Sequence, residues 1–136
     1  MEKKIKMACI IDDDSIYVNL VKKIIETKKL CSNLLVFNDG KDGIDYFEAL
    51  LKNLDQDVIP EIILLDINMP VMDGWEFIER FTKIQNKFKK RITLYVVSSS
   101  INLTDIEKAK SLSGVQNYLV KPVKIDDLEA VFKRTA

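Results

Sequence analysis

The run Ile62-Ile63-Leu64-Leu65, which ends directly in Asp66, constrains the fold more than any other stretch of the chain. Large apolar residues at every position leave no inside-outside alternation, so both faces of such a strand must be covered. A parallel sheet with helices on both sides meets that demand. Asp66 then stands at the strand's carboxyl end, where open α/β sheets hold their ligands. The loop from Asn68 to Gly74 follows, with Asp73 expected to cap the next helix and Gly74 to supply turn geometry.

The rest of the chain repeats this grammar. Met7-Ala8-Cys9-Ile10-Ile11 predicts a first strand that runs into Asp12-Asp13-Asp14-Ser15, with Asp14 or Ser15 as the cap of a helix. Ile16, Leu20 and Ile24, with Val21 and Ile25, give that helix its apolar spacing. Leu34 to Phe37 is a second strand, stopped by Asn38-Asp39-Gly40, and Ile44, Phe47, Leu51 and Leu54 mark the next helix. A polar loop from Asp55 to Pro60 leads to the strand ending at Asp66. Trp75, Ile78, Phe81, Ile84 and Phe88 make a broad helical face, closed by the basic end Lys87, Lys89, Lys90 and Arg91, which suits a helix C-terminus. Ile92 to Val97 is a fourth strand ending in Ser98-Ser99-Ser100. Thr104-Asp105-Ile106-Glu107 has capping-box spacing and opens a short helix through about Leu112. Gln116 to Val120 is a fifth strand ending at Lys121-Pro122, and Ile125, Leu128, Val131 and Phe132 form the last stripe behind Asp126-Asp127. Regular alternation of this kind predicts a doubly wound (βα)5 three-layer sandwich. A parallel strand order of 2-1-3-4-5 puts strands one and three at the switch point.

Composition narrows the chemistry. At 136 residues the chain reads as a single domain with its core from about 6 to 134 and no room for an output domain, either a stand-alone protein or a fragment of a longer one. Lys+Arg and Asp+Glu both total 21, which removes bulk electrostatic attraction to nucleic acid or an anionic membrane. There is no histidine, so a Ser-His-Asp triad, a Cys-His pair, His-ligated zinc and a phosphohistidine on this chain are all excluded. Cys9 and Cys31 lack metal-ligand spacing and read as small buried or half-buried hydrophobes. No signal-peptide core or membrane-length apolar stretch is present, so the expected location is cytoplasmic.

The predicted topology brings Asp12, Asp13, Asp66, Ser98 and Lys121 to one pocket. Three carboxylates repel one another, and a single lysine cannot neutralise them. A hard divalent cation with oxygen ligands can, and Mg²⁺ takes one or two carboxylates, a carbonyl and waters. One carboxylate could then act as a nucleophile towards phosphorus, with Lys121 and the Ser98 hydroxyl on phosphoryl oxygens.

Four ordered motifs carry a resemblance to the flavodoxin-like receiver domains of two-component response regulators, the single-domain chemotaxis regulator among them. They are Ile-Ile-Asp-Asp-Asp-Ser at 10 to 15, Leu-Leu-Asp-Ile-Asn-Met-Pro-Val-Met-Asp-Gly at 64 to 74, Val-Val-Ser-Ser at 96 to 99 and Tyr-Leu-Val-Lys-Pro at 118 to 122. The resemblance spans about Lys6 to Arg134. It implies that Asp66 is the phosphoacceptor and that Asp13 binds Mg²⁺ (or Mn²⁺) directly, with Asp12 acting through water. The Asn68 backbone carbonyl would be a further ligand. Ser98 takes the place of the hydroxyl residue that turns to the phosphoryl group, and Ser99 the small position that keeps the pocket open. Lys121 is the lysine, with a cis peptide before Pro122, and Tyr118 is the aromatic switch, expected to turn inward when Ser98 moves. Asn68 and Ser100 occupy the positions that tune aspartyl-phosphate lifetime.

The function so implied is a switch rather than an enzyme, although it assists its own phosphorylation and dephosphorylation. It takes phosphoryl from the phosphohistidine of a sensor kinase or histidine phosphotransfer protein. It then changes the surface of the fourth helix, fifth strand and fifth helix, where a downstream protein docks. Two readings compete. Asp12-x-Asp14 resembles the nucleophile motif of haloacid-dehalogenase-like phosphatases, which would make Asp12 the nucleophile. Alternatively, a receiver could serve only as a binding module, without phosphorylation.

Overall fold

The computed structural model describes residues 5–52, 58–69 and 72–135. The opening residues 1–4, Leu54, Asp55 to Asp57, and Pro70-Val71 of the second motif lie outside the described residues. The elements alternate as β1 (Ile5–Ile11), α1 (Ser15–Lys28), β2 (Cys31–Phe37), α2 (Gly40–Leu50), β3 (Ile62–Leu65), α3 (Gly74–Ile84), β4 (Thr93–Ser98), α4 (Leu103–Ser111), β5 (Val115–Val120) and α5 (Ile125–Thr135). All strand pairs are parallel, and the order is β2-β1-β3-β4-β5, as expected. β2 begins three residues earlier than its apolar run, because Cys31 and Asn33 pair with Ile5 and Met7. Every residue of β3 is buried, which is what an unbroken apolar run demands.

Two hydrophobic clusters lie on opposite faces of the sheet. One joins the sheet to α2, α3 and α4 through Ile44, Phe47, Phe77, Ile78, Phe81 and Ala109. The other joins it to α1 and α5 through Tyr17, Val18, Val21, Ile25, Leu128 and Phe132. This is the three-layer sandwich read from the sequence. The Cys9 thiol is buried and pushed up by that burial, and Cys31 is half-buried and pushed up to about 11, so both are inert packing groups.

Four details differ from the sequence expectations. Ile16 is 83% exposed and Leu20 51% exposed, so the stripe expected for α1 is displaced by one position. Asp14 is the cap, its side chain accepting from the Tyr17 N–H, and that phase turns Tyr17, Val18, Val21 and Ile25 onto the sheet. α4 starts at Leu103 rather than Thr104, because Asn102 Oδ1 accepts the Thr104 N–H at 2.8 Å. α3 ends at Ile84 and a 3-10 turn follows at 85–87, so Phe88 is buried from extended backbone rather than from the helix. Ile125 is an exposed first residue of α5, while Leu128, Val131 and Phe132 are buried as expected. Among the described residues no helix is long and apolar enough to cross a membrane.

Candidate functional site

The sheet's own hydrogen-bond ladder delivers the site residues. The Asp12 N–H donates to Phe37 O at 3.0 Å, the Asp66 N–H to Ile11 O at 2.9 Å and the Lys121 N–H to Ser98 O at 2.8 Å. Each is the last rung at a strand's carboxyl end, so the side chains emerge where β1, β3, β4 and β5 stop. Carboxylate oxygens of Asp12, Asp13 and Asp66 lie within 4.8 Å of one another. Asp12 and Asp66 are buried and Asp13 is exposed, which opens the cluster to solvent on one side.

Gly74 sets the close fit of the loop after Asp66. A Cβ there would fall 2.6 Å from the Asp66 carbonyl oxygen and 2.5 Å from Ile67 Cα. A side chain would force the start of α3 away from the pocket. The Asp73 carboxylate caps that helix by accepting the Glu76 N–H at 2.9 Å, as expected.

The charges are arranged as an attraction between unlike groups set against a crowding of like ones. Lys121 Nζ lies 2.8 Å from Asp12 Oδ2 and 3.7 Å from Asp66 Oδ2. Asp66 Oδ1 accepts the Asn68 N–H at 3.1 Å, so one oxygen is held by the loop and the other points to the lysine. Burial pushes the Asp66 carboxyl up to about 6. The Asn68 N–H and Lys121 pull it down, while Asp12 and Asp13 push it further up. A carboxylate that is costly to ionise, beside two others and one ammonium, is a donor set short of positive charge. Oxygen donors of this kind, open to water through Asp13, fit a hard divalent cation.

The remaining expected residues are at the same end. Ser98 is fully buried; its Oγ accepts the Ser100 N–H at 3.1 Å and the Asn68 Nδ2–H at 3.4 Å. Ser99, the small residue beside it, is exposed. Tyr118 is already inward at 8% exposure, its OH donating to Ser100 O at 2.8 Å. An inward Tyr118 therefore coexists with a Ser98 hydroxyl engaged by Ser100, where the sequence reading expected the inward turn to follow a movement of Ser98. Ser100 is more than a loop residue, since its hydroxyl donates to Asp105 Oδ2 at 2.8 Å and accepts the Asn102 N–H at 3.2 Å. The Lys121-Pro122 peptide is cis. Asp14, the second acid of the phosphatase alternative, is the exposed cap of α1 and is not among the clustered carboxylates.

One residue of the site was not anticipated. Lys121 Nζ stands 4.4 Å over the centre of the Tyr17 ring, so Tyr17 forms a wall of the pocket. Its signal was present in the sequence: Tyr17, Val21 and Ile25 repeat every four positions, one step along from the stripe on Ile16 and Leu20.

Residues 8–133 match the family model of the response regulator receiver domain. The chain belongs to that family. A receiver from Cytophaga hutchinsonii, a two-component response regulator, superposes with a TM-score of 0.82 at 28% identity, covering 98% of each chain. The response regulator Rcp1 of Synechocystis sp. is 28% identical over 123 residues, covering 90% of this chain and 81% of its own. Its Mn²⁺-bound form superposes at a TM-score of 0.71 with 26% identity, over 95% and 90% of the two chains. The sensor histidine kinase CheAY of Helicobacter pylori is 37% identical over 125 residues, which is 92% of this receiver but 14% of the kinase's length. The family model and these relatives are of two-component signalling, and none of them favours the phosphatase reading.

Proposed function

We propose that this receiver is a phosphoacceptor switch in which Asp66 takes a phosphoryl group from a phosphohistidine on a partner. The observation that carries the proposal is the joint placement of Asp12, Asp13 and Asp66 within 4.8 Å, with one lysine bridging Asp12 and Asp66. The donor lies outside these 136 residues, which contain no histidine. A sensor histidine kinase or a histidine phosphotransfer protein fits, and the likeness to a kinase's receiver region supports it.

In the transfer, an Asp66 oxygen forms the bond to phosphorus as the bond from phosphorus to the partner's imidazole nitrogen breaks, and the imidazole departs and takes up a proton. Asp66 must be ionised to attack. Its other oxygen stays fixed by the Asn68 N–H, which aims the carboxylate. Asp12, Asp13, Asp66 and the Asn68 carbonyl would hold Mg²⁺ or Mn²⁺, Asp13 directly and Asp12 through water. Such a cation supplies the positive charge that carboxylates and phosphoryl oxygens together require. Lys121 moves its ammonium from Asp12 towards the new phosphoryl oxygens, and the Ser98 hydroxyl turns away from the Ser100 N–H it accepts to donate its own proton to one of them. Ser99 leaves the approach clear. Asn68 and Ser100, both hydrogen-bonded to the Ser98 hydroxyl, tune how long the acyl phosphate lasts.

Release of the Ser100 N–H disturbs the residue that also holds Tyr118 and Asp105. The surface of α4, β5 and α5 is thereby biased between two arrangements, and a downstream protein reads it. No role in binding nucleic acid or membrane is assigned, and the cytoplasm is the compartment where such a kinase would meet it. Asp66→Asn should abolish acid-labile, Mg²⁺-dependent labelling by acetyl phosphate; stoichiometric labelling of that variant would refute the assignment.

A further inference from the structure

Asp12, Asp14, Tyr17 and Lys121 close a ring of contacts. Asp12 Oδ1 accepts the Asp14 N–H at 2.9 Å. Asp14 Oδ1 accepts the Tyr17 N–H at 3.2 Å. The Tyr17 ring lies under Lys121 Nζ at 4.4 Å, and that nitrogen returns to Asp12 Oδ2 at 2.8 Å. The acid of the Asp12-Asp13-Asp14 run that stands outside the carboxylate cluster thus sets the height of an aromatic ring, and the ring supports the pocket's lysine.

Packing alone does not account for a tyrosine at this position. The cluster it joins on that face of the sheet is mostly aliphatic, with Val18, Val21 and Leu128 among its members beside Tyr95 and Phe132. The ring is buried, and its OH has no hydrogen-bond partner among the described residues. A buried phenol without a partner costs stability that a leucine would not. What a leucine lacks is a negative π face for a cation. Lys121 has need of one. Asp12, at 2.8 Å, holds it at one end only; the Asp66 contact, at 3.7 Å, is too long to fix it at the other, and a flexible four-carbon stem does not guide an ammonium between the two unaided.

We propose that Tyr17 is a positioning residue for Lys121, a floor on which the ammonium moves from Asp12 to the phosphoryl group on Asp66 without returning to water. A carboxylate oxygen binds the ammonium at one point, whereas a ring face attracts it across its whole area. Lateral travel towards Asp66 therefore keeps the aromatic contact while the Asp12 contact is exchanged. The Tyr17 hydroxyl takes no part. This inference rests on the Asp66 reading for its catalytic consequence, but the lysine's position can be tested without it.

The test compares the full chain as wild type, Tyr17→Phe and Tyr17→Leu. In protein carrying ¹³C-lysine, the ε-methylene protons of Lys121, assigned with Lys121→Arg, report the ring by their upfield shift. The shift should be present in wild type and Tyr17→Phe and absent in Tyr17→Leu. With saturating Mg²⁺, the maximal rate of labelling by acetyl phosphate should stay within about twofold in Tyr17→Phe and fall roughly tenfold in Tyr17→Leu, with the half-saturating donor concentration little changed. Wild-type labelling in folded Tyr17→Leu would overturn the proposal, as would an unshifted Lys121 methylene in wild type. If Tyr17→Leu fails to fold, the decision falls to wild type and Tyr17→Phe: a shared upfield shift supports the ring's role, and its absence from either overturns it. A wild type that takes no label refutes the Asp66 reading instead, and the methylene shift still decides where the lysine sits.

Discussion

α3 and α4 flank the same carboxylate pocket, yet they are held to the sheet in different ways. α3 buries Gly74, Phe77, Ile78 and Phe81. Its rings meet Phe47 of α2, with Phe47 and Phe81 centroids 5.1 Å apart and Phe77 stacked on Phe81 at 5.7 Å. Arg80 adds an ion pair to Glu48 across the two helices. α4 buries only Ala109. Its approach and first turn expose Ile101 and Leu103, and polar ties fasten it: Ser100 to Asp105, and Lys108 over the Trp75 ring at 4.4 Å. Close-packed aromatic surfaces have one good arrangement, whereas a helix held by one buried alanine, the half-buried Ile106 and a few polar contacts has a low cost of local rearrangement. The pocket therefore has a fixed wall on the α3 side and a yielding wall on the α4 side; under the proposed function the first aims Asp66 and the second reports what happens there.

The largest expected effect tests the fixed wall. Phe81→Ala should destabilise by about 3–5 kcal/mol, because it opens a cavity among rings that cannot collapse together. Leu103→Ala on α4 should stay within about 0.5 kcal/mol, since it removes an exposed side chain. Urea unfolding of both variants checks the contrast. Equal losses would mean that α4 is packed as firmly as α3.

The second prediction concerns the cost of the charged pocket between the walls. Asp66 titrates near 6 in the folded protein against an ordinary value of 3.8. Between those values the folded state binds more protons than the unfolded one, so the group's contribution falls as pH rises through that window. Its stabilising share is complete below the ordinary value and gone above about pH 6. Asp66→Asn should therefore be more stable than wild type at about pH 7.5 in EDTA, by about 1 kcal/mol once solvent screening of an open pocket is allowed for. The gain should shrink towards about pH 5 and on adding Mg²⁺ to the wild type. Melting curves over pH check it, and a gain that does not change with pH would assign the effect to packing rather than charge.

The same contrast explains what the sequence discloses. Asp12, Asp66, Ser98 and Lys121 are legible because each ends an apolar strand, and a parallel sheet carries every strand end to one edge. Right-handed crossovers and the switch-point rule set the strand order, and that order brings the acids together. Tyr17 is hidden because α1 offers two overlapping apolar stripes, and the choice between them depends on which of Asp14 and Ser15 caps the helix. The start of α4 is hidden for a related reason. Thr104 and Glu107 satisfy a capping-box pattern, but Asn102 reaches the Thr104 N–H first, while Asp105 is committed to Ser100. Polar side chains with several partners in reach are decided by three-dimensional competition. Apolar runs are decided by burial, which the sequence states directly.

The smallest expected effect tests the yielding wall. Ser100 is the junction between pocket and helix: its N–H holds Ser98, its carbonyl holds Tyr118 and its hydroxyl holds Asp105. Asp105→Ala removes the last of these ties and an acid from the first turn of α4. The global cost should be about 0.5–1 kcal/mol, that of one charge-assisted hydrogen bond at a half-exposed site. The local consequence should be larger than the global one. Amide exchange across α4 should quicken while α3 keeps its protection, because the aromatic cluster is untouched. If Ser100 transmits the state of Ser98, the variant should also weaken the difference that Mg²⁺ and acetyl phosphate make to α4 exchange, with labelling of Asp66 itself preserved. Exchange that quickens equally in α3 and α4 would show that the two walls open as one unit, and the division of labour between them would have to be abandoned.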